Sequence, residues 1–300
     1  MIRAHLLRWL WSLVTLSRRQ RRLPSLAPLN DYGAARRTVG KSSKLVALAR
    51  SLNQRAGRVA AGRLLAQGPQ AVEYGFRARQ VETVFFTQEG LGSFAAIEAE
   101  AHRQGIPVYL LDDRTSKSIA GTNSPQGITA IAYLPKERVE RKPSQFVVLL
   151  EQAQDPGNVG TIIRTADAAG ADLVLLGPGS ADPYGPKCVR ASAGSVFGVP
   201  VRTTDDVVLE IETAQAAGAS VLATVGDGPM SVFDLQPVEV FARPVMWVFG
   251  NEARGLDPAT RDVCDLSVTI PLAGEAESLN VAAAAAVCLF TTARADVDLG

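Results

Sequence analysis

Five short apolar runs in the second half of the chain, at residues 146–150, 172–176, 220–225, 245–249 and 266–270, constrain the fold more than any other feature. Runs such as Phe-Val-Val-Leu-Leu and Val-Met-Trp-Val-Phe show no polar alternation, so both faces of the strand must be buried, as in a parallel sheet covered by helices on both sides. Helically spaced apolar residues separate most of these runs, as the crossovers of such a sheet require. The expectation is an α/β domain with a doubly covered parallel sheet and a ligand site at the carboxyl ends of its strands. A hydrophobic content of 47% over 300 residues fills such a core and leaves enough chain for a second domain.

That second domain lies ahead of the first. Leu45, Leu48, Ala49 and Leu52 recur at helical spacing within residues 42–56, and an amphipathic stretch covers 69–79. A strand at 81–87, a helix at 92–104, a strand at 107–111 and an apolar run at 128–134 follow. The alternation predicts a smaller α/β domain with parallel pairing. The charged stretch that begins at Pro135 and runs past Pro143 reads as a linker. The expected division is a basic extension over 1–35, a first domain over 36–134, a linker over 135–145 and a second domain over 146–300.

The residue inventory removes several chemistries. The histidines are His5 and His102 and the cysteines are Cys188, Cys264 and Cys288, with no CxxC pair, which argues against a zinc site, a Ser-His-Asp triad or a Cys-His dyad. No metal is expected. Charge is uneven: residues 1–63 hold 14 lysines and arginines against one acid, Asp31, whereas residues 64–300 hold 17 against 29. Such a split points to a polyanionic partner, nucleic acid or an anionic membrane surface, with a solvated basic tail as the alternative. The first 22 residues combine Trp9, Trp11 and leucines with six arginines, and Arg8 breaks an apolar run too short to span a bilayer. They lack the plain features of a signal peptide; a frayed extension, a transit peptide and a surface helix remain the readings. No integral membrane association is expected.

Three strand ends carry unusual residues. The first run is followed by Glu151-Gln-Ala-Gln-Asp-Pro-Gly-Asn-Val-Gly-Thr-Ile-Ile-Arg164, in which Pro156 and Gly157 make a turn and Asn158 suits a helix N-cap. In the following helix Val159, Ile162, Ile163 and Ala166 form the apolar face, Arg164 lies off it, and Gly170 ends it. The run at 245–249 leads into Gly250-Asn-Glu-Ala-Arg-Gly-Leu256, whose glycines let backbone approach a ligand. The run at 266–270 leads into Pro271-Leu-Ala-Gly-Glu-Ala-Glu-Ser-Leu-Asn-Val281 and an alanine-rich helix over 282–293, with Ser278 as its cap and Asn280 as a first-turn polar residue. Singly, each has an ordinary structural role.

In combination they do not. Asn158-Val-Gly with Arg164 six residues after the asparagine, Phe-Gly-Asn-Glu252 with Gly-Leu256, and Ile-Pro-Leu with Gly274 and Ser-Leu-Asn-Val281 closely resemble, in this order, the three signature motifs of the SpoU/TrmH group of SPOUT RNA methyltransferases. The resemblance covers nearly all of residues 146–293. The first domain is similar to the L30e-like RNA-binding domain often fused ahead of it, in Gly68-Pro-Gln-Ala-Val72 and Thr122-Asn-Ser-Pro-Gln-Gly127. It departs from the pattern at Gln67, where an acidic residue is common.

The resemblance implies a parallel-sheet domain closed by a trefoil knot, an exception to unknotted topology. It implies S-adenosyl-L-methionine as cofactor, held by Gly250, Ile270 and Leu279, with Thr224 at the end of its strand as a further candidate. It assigns stabilisation of the developing ribose alkoxide to Arg164, and orientation of the arginine and the ribose to Asn158, Glu252, Ser278 and Asn280. It implies a homodimer and leaves open whether Asn158 and Arg164 reach the site from the opposite subunit. The acceptor it implies is a 2′-hydroxyl of structured RNA, ribosomal RNA ahead of transfer RNA, in the cytoplasm unless the extension addresses the chain to an organelle. Basic residues from Arg36 to Arg63 would meet phosphates, and Arg164, Lys187 and Arg190 would make the active-site face basic. The rival readings are a non-catalytic RNA-binding module of the same fold and a nucleotide-dependent oxidoreductase. Against the latter, no GxGxxG follows the first strand of either domain.

Overall fold

In the computed structural model, which describes residues 37–136, 144–235, 240–241 and 244–299, the chain enters through β1 (Arg37–Thr38). The extension over 1–35 and most of the linker therefore lie outside the described residues. Ser43 accepts from Leu45 N to start α1 (Lys44–Ser51), and α2 (Arg55–Ala61) stops at Gly62, whose left-handed φ of +64° is cheap for glycine. Then follow β2 (Arg63–Gln67), α3 (Pro69–Arg77), β3 (Val81–Phe86), α4 (Gln88–Ser93), α5 (Ala95–Arg103) and β4 (Val108–Leu110). Asp112 caps α6 (Asp113–Ala120), and β5 (Ile128–Tyr133) completes the first sheet.

That sheet has the order β1-β4-β3-β5-β2, and its pairing corrects the all-parallel expectation: β5 runs antiparallel to both β3 and β2. The run Ile128 to Ala132 is buried along its length and carries no mark of direction, so the alternation of strands and helices does not reveal the reversal. The helix expected over 42–56 is divided between α1 and α2, and that over 92–104 between α4 and α5 at Phe94.

The second sheet is parallel throughout, as expected. Its elements are β6 (Phe146–Leu150), α7 (Pro156–Ala168), β7 (Leu173–Leu176), α8 (Pro186–Ala191), β8 (Val201–Thr203), α9 (Val207–Ala216), β9 (Ser220–Thr224), β10 (Met230–Ser231), β11 (Val245–Phe249), α10 (Pro258–Val263), β12 (Leu266–Thr269) and α11 (Val281–Leu299). The order β10-β12-β9-β11-β6-β7-β8 sets β9 between β12 and β11, so the ends of these three strands adjoin. The two- and three-residue strands β1, β8 and β10 carry too little pattern to be anticipated, and the five-residue β2 is not anticipated either.

Both faces are covered. One cluster takes Val148, Ile162, Val174 and Trp247 from the second sheet and its helices, and Leu64, Val72 and Phe76 from the first, so a single apolar core runs through both sheets. Leu149, Leu175, Ile211 and Val248 pack on the opposite face of the second sheet, and Val46, Leu52, Phe85 and Ile131 on that of the first. The fully buried indole of Trp247 donates from Nε1 to Thr292 Oγ1 at 2.8 Å, fastening α11 to the centre of the sheet.

Candidate active site

The loops after β6, β11 and β12 converge, and their convergence begins with a cap. Asp155, rather than Asn158, is the N-cap of α7: its Oδ1 accepts from Gly157 N at 2.7 Å and Asn158 N at 2.9 Å, with Pro156 at the first helical position. Lys187 Nζ reaches Asp155 Oδ2 at 2.7 Å, and this bond, before the two backbone donors, holds the carboxyl below the usual aspartate value. Lys187 thus stands at this face with its charge matched by a carboxylate.

Freed from capping, the Asn158 side chain links two other loops. Its Nδ2 donates to Glu252 Oε1 at 2.9 Å, and its Oδ1 accepts from Asn280 Nδ2 at 3.1 Å. Asn280 in turn caps α11, its Oδ1 accepting from Ala282 N at 2.9 Å and Ala283 N at 3.4 Å. This overturns the expected cap at Ser278, which stays on the exposed loop between β12 and α11. Asn158, Glu252 and Asn280 therefore meet within one chain.

Arg164 does not join them. Six residues beyond Asn158 on α7, it is turned by roughly 240° and raised by roughly 9 Å along the helix. It is exposed and makes no side-chain hydrogen bond or ion pair among the described residues. Arg190, expected to add charge to this face, instead donates from Nη1 to Gln67 Oε1 on β2.

Residues that the sequence reading passed over brace the loop after β11. Buried Glu151 accepts from Asp257 N at 2.8 Å and from Thr260 Oγ1 at 2.6 Å. Asn251 Oδ1 accepts from Ala253 N and Arg254 N, while its Nδ2 donates to Gln152 O. The signal available was a carboxylate directly after an unbroken apolar strand, since a buried acid requires donors.

The expected cofactor residues occupy neighbouring strand ends. Thr224 is paired in register with Phe249 and Val268, Gly250 follows Phe249, and Ile270 follows Thr269. Gly250 is required by space, because a Cβ there would lie 2.3 Å from Gly255 C. Its loop is closed by paired bonds between Asn251 and Gly255. Residues 271–279 are exposed, and none of their backbone groups bonds another described residue. Within this loop Leu272 and Leu279 are each 40% exposed. Free amides and carbonyls with apolar side chains suit a ligand that has a heteroaromatic base, a ribose and an amino-acid tail, so the donor set fits S-adenosylmethionine. Burial pushes all three thiols up to about 12, which removes thiolate nucleophiles. Among the described residues no cluster of His, Cys, Asp and Glu can hold a metal ion, and no helix is long and apolar enough to cross a membrane.

An all-parallel sheet with helices on both faces and a shared site at adjacent strand ends is the architecture of a cofactor-binding α/β enzyme, and solved structures narrow the class to AdoMet-binding methyltransferases. An AdoMet-bound rRNA methyltransferase from Sinorhizobium meliloti superposes with a TM-score of 0.71 at 27% identity, covering 87% of this chain and 97% of that one. The SpoU methyltransferase AviRb of Streptomyces viridochromogenes, in complex with AdoMet, gives 0.71 at 29% identity over 85% and 98%. Residues 145–290 match the model of the SpoU rRNA methylase family, and 65–137 match that of RNA 2′-O ribose methyltransferase substrate binding. A 23S rRNA (uridine-2′-O)-methyltransferase of Streptomyces viridochromogenes is 33% identical over 87% of this chain and 93% of its own. The 23S rRNA (guanosine-2′-O)-methyltransferase RlmP of Bacillus subtilis is 38% identical over 62% and 72%. This chain belongs to the SpoU rRNA methylase family.

Proposed function

We propose that this protein transfers a methyl group from S-adenosylmethionine to a ribose 2′-hydroxyl of ribosomal RNA. The observation that carries the reading is the hydrogen-bonded bridge Glu252–Asn158–Asn280, which ties three strand-end loops into one polar surface beside the exposed loop over 271–279. The cofactor supplies an electrophilic methyl; this chain must place the acceptor oxygen and favour its negative charge. A ribose hydroxyl is weakly acidic, so charge develops on its oxygen as it attacks. Arg164 supplies a fixed cation for that charge and is no base, since its guanidinium stays protonated. A neighbouring RNA phosphate takes the proton. Asn158, Glu252, Asn280 and Ser278 orient the ribose, and Thr224, Gly250, Ile270 and Leu279 bound the cofactor's place.

The placement of Arg164 off its own chain's cluster supports a homodimer in which it serves the partner's site. The likeness to the SpoU methyltransferase fold supports a trefoil knot in the second domain. The first domain, over 36–134, selects RNA by loops and phosphates, the second, over 146–300, carries the transfer, and the protein works in the cytoplasm where ribosomal RNA is found. The matched ranges 65–137 and 145–290 support this division.

The test is transfer of labelled methyl from S-adenosylmethionine to ribosomal or transfer RNA by the purified protein. Ribosomal RNA is expected to be labelled at ribose and transfer RNA not. Arg164→Ala is expected to lower kcat by at least about a hundredfold, with cofactor binding near normal. Full activity in that variant overturns the assigned mechanism.

A further inference from the structure

The two sheets exchange arginines. From α2, Arg58 is buried, with Nη2 donating to Asp182 Oδ2 of the second domain at 2.6 Å and Nη1 to Leu52 O at 2.8 Å. From α8, Arg190 donates to Gln67 Oε1 at the end of β2, while Gln67 Nε2 donates to Ala120 O at 3.0 Å. At Gly194 the two surfaces touch without space for a further atom: a Cβ there would lie 2.7 Å from Tyr74 Cβ and 2.9 Å from Ala71 Cα. Gly75 lies within van der Waals reach of the Phe197 ring. Apolar side chains of both sheets share one core here.

The other side of α8 is fixed just as closely to the helix that carries the catalytic candidates. A Cβ on Gly160 of α7 would lie 2.4 Å from Cys188 O and 2.6 Å from Ala191 Cβ, so the two helices meet backbone to backbone. One turn before Arg190, Lys187 bonds Asp155, the cap of α7, three residues from Asn158. An unbroken set of close contacts thus runs from Gln67 through α8 to Asn158. Gln67 adjoins Gly68, which packs on exposed Gln126 of the partly exposed segment over 121–127.

We propose that α8, with the Arg190–Gln67 bond as its latch, is a specificity-determining element that holds the RNA-selecting domain at a fixed reach from the methyl-transfer site. Arg190 is a positioning residue: it acts on Gln67, and through it on where the RNA lies, rather than on the ribose or the cofactor. The inference rests on the proposed reading of the chain as a ribosomal RNA methyltransferase. A fixed reach selects a nucleotide by its distance from the bound RNA feature. Loosening it weakens productive binding and lets neighbouring riboses reach the site, while the chemistry of each productive encounter is unchanged.

The experiment uses the full-length chain and protein-free 23S ribosomal RNA transcribed in vitro, with the riboses methylated by the wild type mapped first. Gln67→Leu and Arg190→Met are each expected to raise KM for this RNA about tenfold or more and to spread methylation to additional riboses. Expected alongside are kcat within twofold of wild type and unchanged S-adenosylmethionine affinity, with a melting midpoint that still leaves the protein folded at the assay temperature. Arg190→Lys, which keeps a donor for Gln67, recovers most of the loss. The double variant is no worse than Gln67→Leu alone, because Arg190→Met removes only a bond that Gln67→Leu already removes. Additive losses would show that Arg190 contacts RNA directly, and wild-type KM with an unspread methylation pattern in both single variants would remove the latch altogether; either result overturns the proposal. Failure of the wild-type enzyme to methylate the transcript would instead count against the functional reading.

Discussion

Asp155 shows how much one side chain can hold. It caps α7, receives Lys187, and by taking the capping role leaves Asn158 free to bridge Glu252 and Asn280. Its carboxyl lies below the usual aspartate value, first because of Lys187 and then because of the Asn158 and Gly157 backbone donors. A depressed folded-state value means that its contribution is fully present above the unfolded value and is lost as pH falls through the folded one. Asp155→Ala is therefore expected to cost about 1 kcal/mol at neutral pH by urea denaturation, with the gap to wild type narrowing on acidification below the ordinary aspartate range. A gap independent of pH would refute the charged role. The cap was legible in principle, since Asp followed by Pro is the signature of an N-cap and first helical residue. Reading Asn158 as the cap instead gave a cap residue type the position it favours and took Pro156, two places nearer the strand, as part of a turn rather than as the first helical residue. Asn280 was passed over as a cap for Ser278 in the same way; both prefer that position, and only the geometry of the chain separates them.

At the level of elements, the pairs that could be read were those with enough buried length to show a pattern. The strands β6, β7 and β11 lie where unbroken apolar runs place them, because burial on both faces leaves no room for polar residues. The direction of β5 was not legible: a strand buried along its length looks alike in either orientation, and direction is set by the connection. The meeting of α7 and α8 at Gly160 was equally hidden, since a glycine in a helix signals only a weak residue until the neighbour is known. It now supports a prediction in which two effects oppose. Replacing a helical glycine by alanine gains up to about 1 kcal/mol of intrinsic propensity. Forcing a methyl against a carbonyl 2.4 Å away and a second methyl 2.6 Å away exceeds that gain, because neither backbone can yield without moving its helix. Overpacking of this kind costs about 1 to 3 kcal/mol, so Gly160→Ala is expected to be destabilised in urea denaturation. An unchanged or raised midpoint would mean that α7 and α8 are not in contact as described.

On the scale of the whole molecule, the sequence motifs propose which residues share a site but are silent on which chain they come from. Asn158, Glu252 and Asn280 are joined within a chain, whereas Arg164 faces outward from α7 with no described partner. If Arg164 serves the partner's site in a twofold dimer, each site takes its polar bridge from one subunit and its cation from the other. Two inactive variants then complement each other. In a mixed dimer of Arg164→Ala with Asn280→Ala, one site inherits both defects, and the other receives an intact bridge from the first chain and an intact arginine from the second. Random pairing of equal amounts makes about half of the dimers mixed, each with one working site, so co-expression is expected to restore about a quarter of wild-type methyl transfer. Each variant alone stays inactive, and separately purified dimers mixed without exchange stay inactive as well. If Arg164 acts within its own chain, every site in the mixed dimer keeps one defect and no activity returns. The complementation assay therefore decides between the two arrangements without requiring any structure of the dimer.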